Sequence, residues 1–551
     1  MKAEGKRQKA KGRTAGRNCT RGGRNCSAAL AALLFSLTVT SAEAADTRVV
    51  QAARAGDAAV VRTLIQQRAD VNVPEVDGTT ALHWAVRAGD ADLVNALLRA
   101  GAKAGAANRY GMTPLLLAAS NGQVAIVDAL LKGGARADAA GPEGETPLLL
   151  AARSGNAAAV NLLLEAGASV HAKEQWQGQT ALMWAAAENH AAVVQALAAR
   201  GAELNGRSNV LEPPKREISD FRTDKNGQAL QTLLTTFPRG GLTPLLFAAR
   251  QGSLDATRAL IDAGADVNLA DPEGISPTVL AIRNGHYEVA ALLVEKGANV
   301  NAGDRVNRTP LYMAVDMHSL DWIQNRPAPK AEGALDSLDL ARLLLEKGAK
   351  ADTQLSGNVP GWKGDAVAAQ NTFGNVIGAG TTPFVRAAKN GDLAAMRLLI
   401  DKGADPNIAT RNKTTALMAL VGGLGRKYAA DLQVSAAEEK NVLEAAKLLL
   451  DLGADVNAAN EAGQTSLHAA AAIGANGVVR FLVERGARLD AKTRQGRTAL
   501  DEALRGVPNV DGAPGEAHED TAALLRELMT QRGIDVKPAA PVAATPAPAE
   551  P

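Results

Sequence analysis

Apolar residues along this chain fall in pairs of short clusters, each cluster at helical spacing and each pair closed by a Gly-containing turn. The stretch from Gly241 to Asn268, GLTPLLFAARQGSLDATRALIDAGADVN, shows the unit in full, and about a dozen copies of it recur. Thr243 is a good N-cap, and Pro244 takes the first helical position, where its missing N–H costs nothing. Leu245, Leu246, Ala248 and Ala249 give a short helix one apolar face, and Gly252 stops it. Ser253 can cap a second helix, with Leu254, Ala256, Thr257, Leu260 and Ile261 at helical spacing. Gly264 ends that helix in a left-handed C′ position, and Asp266 and Asn268 supply turn chemistry before Gly274 opens the next copy.

The period can be counted directly. Gly78, Gly111 and Gly144 lie 33 residues apart, as do Gly241 and Gly274, and Gly463 and Gly496. A helix pair of this length cannot bury its apolar face alone, so the pattern predicts units stacked into a solenoid. Unit starts read Thr80-Ala81-Leu82-His83, Thr113-Pro114-Leu115, Thr146-Pro147-Leu148, Thr180-Ala181-Leu182, Thr243-Pro244-Leu245 and Thr309-Pro310-Leu311. Further starts are Thr382-Pro383-Phe384, Thr415-Ala416-Leu417, Thr465-Ser466-Leu467-His468 and Thr498-Ala499-Leu500. Unit ends recur as Ala265-Asp266-Val267-Asn268, Ala298-Asn299-Val300-Asn301, Ala404-Asp405-Pro406-Asn407 and Ala454-Asp455-Val456-Asn457. This wording resembles the ankyrin repeat family over nearly all of residues 46–505. The resemblance implies an all-α repeat solenoid of helix-turn-helix repeats with short β-hairpin connections. It also implies binding of a protein partner through the concave face and the hairpin tips.

Taken in order, residues 45–77 read as an N-terminal capping repeat, with a first helix over Val49–Arg54 and a second marked by Val60, Leu64 and Ile65. Regular repeats fill 78–205, their second-helix cores being Leu97-Leu98, Leu130-Leu131 and Leu162-Leu163-Leu164, and repeats resume over 241–536. An insert occupies 206–240, carrying Phe221, Leu230, Leu233, Leu234 and Phe237, where a hairpin should join two repeats. A second hairpin-side insert, 354–379, contains Trp362 and Phe373. Segments 317–336, 422–441 and 505–520 fall between the two helices of their repeats, so they emerge at the opposite end. Helix 522–529 reads as a C-terminal cap, and the Pro/Ala tail 537–551 has too little to bury and is expected to be disordered.

The N-terminal segment changes the charge picture. Nine Lys/Arg in residues 1–24, an apolar run over 28–39 and the small residues Ser41-Ala42-Glu43-Ala44 read as a secretory signal peptide, 1–44, cut near Ala44. An uncleaved anchor, or a start codon upstream of a shorter signal, is the other reading. Removing 1–44 takes the formal charge from +2 to about −5, which withdraws any nucleic-acid role inferred from the basic whole chain. It also removes Cys19 and Cys26, leaving no thiol for a disulfide, a metal or a nucleophile. The expected location is periplasmic or secreted, with no permanent membrane span after cleavage. Hydrophobic content of 46% with only 3% aromatic residues fits an array of small-residue helices rather than one large core.

Candidate chemistry is sparse. His83 and His468 hold the family's helix-start position, and His190 and His286 sit in turns between helices; no His has a metal-ligand spacing. The sequence contains no G-x-S-x-G and no P-loop, and the acid pair Glu438-Glu439 reads as solvated charge. We therefore expect no catalytic residue, no metal, no cofactor and no enzymatic activity. Trp84 and Trp184 share one slot and read as packed beneath neighbouring hairpins, or else as an exposed pair. The repeat template points to partner binding at Asn108, Arg109 and Tyr110, at Gln175, Trp176 and Gln177, and at Arg411 and Asn412. Phe237, Trp362 and Phe373 of the hairpin-side inserts join them. The expectation is a monomeric protein-interaction scaffold. A ligand-binding or enzymatic protein built from the inserts, and a secreted effector, stand as alternatives.

Overall fold

The computed structural model describes residues 46–211, 239–318, 333–357, 378–424, 436–506 and 516–535. Twelve helix pairs follow one another among these residues, each the first and second helix of one repeat. Repeats 1 to 4 are α1 (Arg48–Arg54) with α2 (Ala58–Gln66), α3 (Ala81–Ala88) with α4 (Ala91–Arg99), α5 (Pro114–Ser120) with α6 (Val124–Lys132), and α7 (Pro147–Ser154) with α8 (Ala157–Glu165). Repeats 5 to 8 are α9 (Ala181–Ala187) with α10 (Ala191–Ala199), α11 (Pro244–Gln251) with α12 (Leu254–Asp262), α13 (Pro277–Arg283) with α14 (Tyr287–Glu295), and α15 (Pro310–His318) with α16 (Ser337–Glu346). Repeats 9 to 12 are α17 (Pro383–Lys389) with α18 (Leu393–Asp401), α19 (Ala416–Gly422) with α20 (Ala436–Asp451), α21 (Ser466–Ala472) with α22 (Asn476–Glu484), and α23 (Ala499–Arg505) with α24 (Glu519–Gln531). First helices pack on first helices of the neighbouring repeats, and their buried Leu, Ala and Val form one continuous core.

The helix starts follow their caps. Thr113, Thr243 and Thr382 each accept the N–H three residues on, at 3.2 Å, satisfying a donor the helix leaves open. In α3 the cap is reciprocal: His83 Nδ1 accepts from Thr80 N, so its Nε2–H donates to the Met112 carbonyl of the next repeat at 3.0 Å. His468 repeats this arrangement with Thr465 and the Arg497 carbonyl. In several repeats an Asn or Asp at the end of the unit then ties to the next. Asn72 Oδ1 accepts from Lys103 N, Asn268 Oδ1 from Asn299 N, and Asn457 Oδ1 from Arg488 N.

These ties continue across the inserts. Asn205 Oδ1 accepts from Asp266 N at 3.0 Å, Asn301 Oδ1 from Lys350 N at 2.8 Å, and Asp352 Oδ1 from Asp405 N at 3.0 Å. The first hairpin-side insert grows from an antiparallel stem, β1 (Val210–Leu211) on β2 (Arg239–Gly240), with Val210 opposite Gly240. Arg207 at its root donates to the carbonyls of Gly241 and Ala270, both at 2.7 Å. The second grows from Leu355, whose N–H donates to Thr381 O and whose carbonyl accepts from Gly380 N.

Local packing departs from the sequence expectation in three places. Val61, fully buried, takes the core position of α2, while Val60 lies on the outer side at 43% exposure. Ser253 stands at the N-cap of α12, but its hydroxyl donates to Ala187 O of the preceding repeat. Helix α20 begins at Ala436, inside the stretch expected to be insert, and Glu439 is not simply solvated: its Oε1 accepts from Gly477 N at 2.7 Å and Val478 N at 3.3 Å. It thereby caps α22, whose own N-cap Ala475 has no side-chain acceptor.

Candidate interaction surface

Hairpins between repeats are shaped by an acceptor at their first residue. Asn108 Oδ1 takes the N–H groups of Tyr110 and Met112, both at 3.0 Å, and Gly111 closes the turn at φ 71°. Glu174 does the same for Trp176, Gln177 and Gln179. Adjacent tips are joined through their backbones: Arg109 N to Asp77 O, Gln175 N to Glu143 O, Asn209 N to Gln177 O, Arg411 N to Ala379 O and Glu461 N to Asn412 O, at 2.7 to 2.9 Å. The tips are thus a hydrogen-bonded row.

Of the predicted site residues, Arg109, Tyr110, Gln175, Trp176 and Arg411 are exposed at these tips. Asn108, Gln177 and Asn412 are half-buried, and their amides serve the turns: Asn412 bonds Thr410, and Gln177 bonds Gln179. Phe237, Trp362 and Phe373 lie outside the described residues. Tyr110 is 60% and Trp176 72% exposed, and the row extends beyond them to Val76 at 99% and to Val210 and Leu211 of the insert stem. Val76 could have been found by register, since it stands two residues before Gly78 as Trp176 stands before Gly178. Past repeat 6 the slot of Val76 and Arg109 holds Arg305, Arg411, Glu461 and Arg494, and that of Tyr110 holds Val306, Asn412, Ala462 and Gln495.

Beside the tips, the first helices carry a column of aromatic and arginine residues. Trp84 and Trp184, four residues past their capping Thr, are half-buried, and arginines lie over their rings. Arg54 and Arg87 stand 5.5 and 5.3 Å from the Trp84 ring centre, and Arg153 stands 4.6 Å from that of Trp184. Arg250 lies 4.9 Å over Phe247. Neither indole Nε1 has a hydrogen-bond partner, so each ring serves as a face for a cation. Arg54, Arg87, Arg153 and Arg250 all stand seven residues past the capping position, a register readable from sequence but not used above.

Family comparison agrees with this geometry. The model for ankyrin repeats in three copies matches residues 49–140, 132–208, 223–304, 245–325 and 434–533, and the single ankyrin repeat model matches 379–411. This chain belongs to the ankyrin repeat family. No curated protein matches it. Ankyrin repeats make it a protein–protein interaction domain, in a family whose members are generally non-catalytic scaffolds. Helices α16 and α19 complete ankyrin pairs outside the matched segments.

The ankyrin repeats 8 and 9 carry a different chemistry. In the slot where Arg153 covers Trp184, Asp316 pairs with Arg386, and Arg308 pairs with buried Asp304 at 2.6 Å. Tyr312, fully buried between them, has no hydrogen-bond partner for its hydroxyl, and burial drives its phenol far above the usual range. His318 Nδ1 lies 2.6 Å from Asp392, and that hydrogen bond raises the His pKa. Burial lowers those of His83 and His468. Among the described residues, no cluster of three or more His, Cys, Asp or Glu could hold a metal, and no helix is long and apolar enough to cross a membrane.

Proposed function

We propose that this ankyrin chain is an exported, non-catalytic scaffold that binds one protein partner across its hairpin tips and first-helix face. The observation that carries this reading is the tip row. Of the six large exposed hydrophobic residues among the described positions, five (Val76, Tyr110, Trp176, Val210 and Leu211) stand on hairpins of repeats 1 to 6. Aligned exposed apolar side chains of this kind mark interaction sites, and aromatic ones are the usual anchors. Their backbones are already fixed by the tip-to-tip hydrogen bonds, so little ordering entropy opposes association. Export rests on the basic, apolar and small-residue order of residues 1–44, and monomer on an array that ends in its own capping repeats.

The test is affinity capture of the tagged chain from the periplasmic fraction of its own organism, with a partner verified by reciprocal capture. Replacing Arg109, Tyr110 and Trp176 together by Ala should abolish that capture; undiminished capture would sink the placement. Recovery of the chain from the cytoplasm alone would remove the export reading.

A further inference from the structure

We propose that the partner presents an acidic segment, extended along the first helices of repeats 2 to 6, whose carboxylates seat on Arg87, Arg153 and Arg250. This rests on the scaffold reading above and names the chemistry the scaffold reads.

Three observations carry it. Each of the three arginines is an exposed residue whose guanidinium lies over an aromatic ring, Arg87 over Trp84, Arg153 over Trp184 and Arg250 over Phe247, the last partly desolvated by burial. A guanidinium held over a ring keeps its charge and its N–H donors, which can take a carboxylate with two hydrogen bonds. Second, none of the three has a carboxylate partner among the described residues, whereas the same slot is compensated in repeats 1 and 8. Arg54, in repeat 1, pairs with Glu75 at 3.3 Å, and Asp316, in repeat 8, pairs with Arg386. Third, the three arginines belong to repeats 2, 4 and 6, evenly spaced by two repeats. Packed helices stand about 8 to 10 Å apart, so two repeats cover about 16 to 20 Å. An extended chain at about 3.3 Å per residue covers that in about five or six residues. The apolar tips run alongside, so large apolar side chains between the carboxylates would meet Tyr110 and Trp176.

The experiment measures fluorescence anisotropy of labelled peptides with the full chain. The probe carries three Glu spaced about six residues apart, with Leu and Tyr between them; a second peptide of equal composition has its three Glu adjacent, and a third has Gln for Glu. Variant R87Q/R153Q/R250Q is compared with R62Q/R99Q/R136Q, which removes the same charge from exposed positions on the second-helix side and the loop after α6. Both should keep the helical circular dichroism of the parent. Since exposed ion pairs are individually weak, losing three should weaken binding of the spaced peptide about tenfold in the first variant, while the second stays within about twofold of the parent. The spaced peptide should also bind more tightly than the other two.

Equal effects of the two variants, equal binding of spaced and clustered Glu, or no binding of the spaced peptide would each overturn the proposal. So would tighter binding of a single-stranded oligonucleotide or a sulfated glycan that the first variant loses. The two readings separate cleanly. A verified protein partner lost on replacing Tyr110 and Trp176 but kept by R87Q/R153Q/R250Q removes the acidic segment and leaves the scaffold; a partner kept by both variants removes both.

Discussion

Deleting residues 212–238 and joining Leu211 to Arg239 through an Asn-Gly turn should leave the repeat stack folded and slightly more stable. The stem is already antiparallel, Leu211 facing Arg239, which is the geometry a two-residue turn closes. Repeats 5 and 6 are held without the deleted residues. Asn205 accepts from Asp266 N at 3.0 Å, Asn189 from Ala256 N at 2.9 Å, and Ser253 donates to Ala187 O at 3.0 Å. Arg207 adds two bonds to the Gly241 and Ala270 carbonyls. Shortening the closed loop from about 27 residues to about two lowers its closure entropy by about 2 kcal/mol. Urea unfolding followed by circular dichroism and by tryptophan fluorescence should therefore give coincident transitions with the midpoint unchanged or raised. A loss of more than about 2 kcal/mol, or two separated transitions, would refute the claim that the stack runs through this insert. In the same assay Arg207→Ala should cost about 2 to 3 kcal/mol, since two charged donors leave their carbonyls. Because the deletion variant stays folded, any partner it loses is lost through the insert itself.

Further outcomes follow from single positions. Glu439→Ala should destabilise by about 1 to 2 kcal/mol in urea titration, because α22 loses its only side-chain cap; no change would mean that water caps it equally well. Lys413 holds φ 63° where most hairpins carry Gly, so Lys413→Gly should stabilise by about 1 kcal/mol, read as a raised urea midpoint. Leu163→Ala, at a fully buried site in α8, should cost about 2 to 5 kcal/mol in the same titration. The histidines pull in opposite directions with pH. His83 and His468 have lowered folded-state pKa values, so the unfolded chain takes up protons first and stability falls as pH drops below about 6.5. His318 has a raised one, so its contribution is full below about 6.5 and fades as pH rises through its folded value. NMR titration of the imidazoles should place His318 above and His83 and His468 below the free value, and one common pKa would refute the assignment.

The repeat was legible because its signals are local. A capping Thr, a Pro after it and Gly at the turn act within a few residues of themselves, so Thr243, Pro244 and Gly252 could be placed by inspection. The tips were legible for the same reason, and Tyr110 and Trp176 are exposed where the template puts them. What stayed hidden depends on the neighbouring repeat. Glu439 looked like solvent-facing charge because its partner amides lie in the next unit, at Gly477 and Val478. Ser253 looked like a cap for its own helix because Ala187 O, across the insert, is not adjacent in sequence. Val60 and Val61 were interchangeable by composition, and only packing against the next repeat chose Val61.

The same lateral slot explains how one fold is used in two ways along its length. Seven residues past the cap in one repeat meets four residues past the cap in the next. Between repeats 1 and 2 that contact is Arg54 on Trp84, and between 4 and 5 it is Arg153 on Trp184. Between repeats 8 and 9 it is Asp316 on Arg386. An arginine on an indole keeps its net charge, whereas an arginine on an aspartate is neutral as a pair. Backbone geometry is common to all three, so the choice of side chains does not serve the stack itself. It decides which part of the surface still has charge to offer: Arg153 keeps its charge between repeats 4 and 5, Arg54 shares its own with Glu75, and Asp316 and Arg386 neutralise each other between repeats 8 and 9. Exchanging the pair, Arg153→Asp with Trp184→Arg, should therefore leave the fold intact while weakening capture of an acidic partner, and capture undiminished by the exchange would show that Arg153 takes no part in recognition.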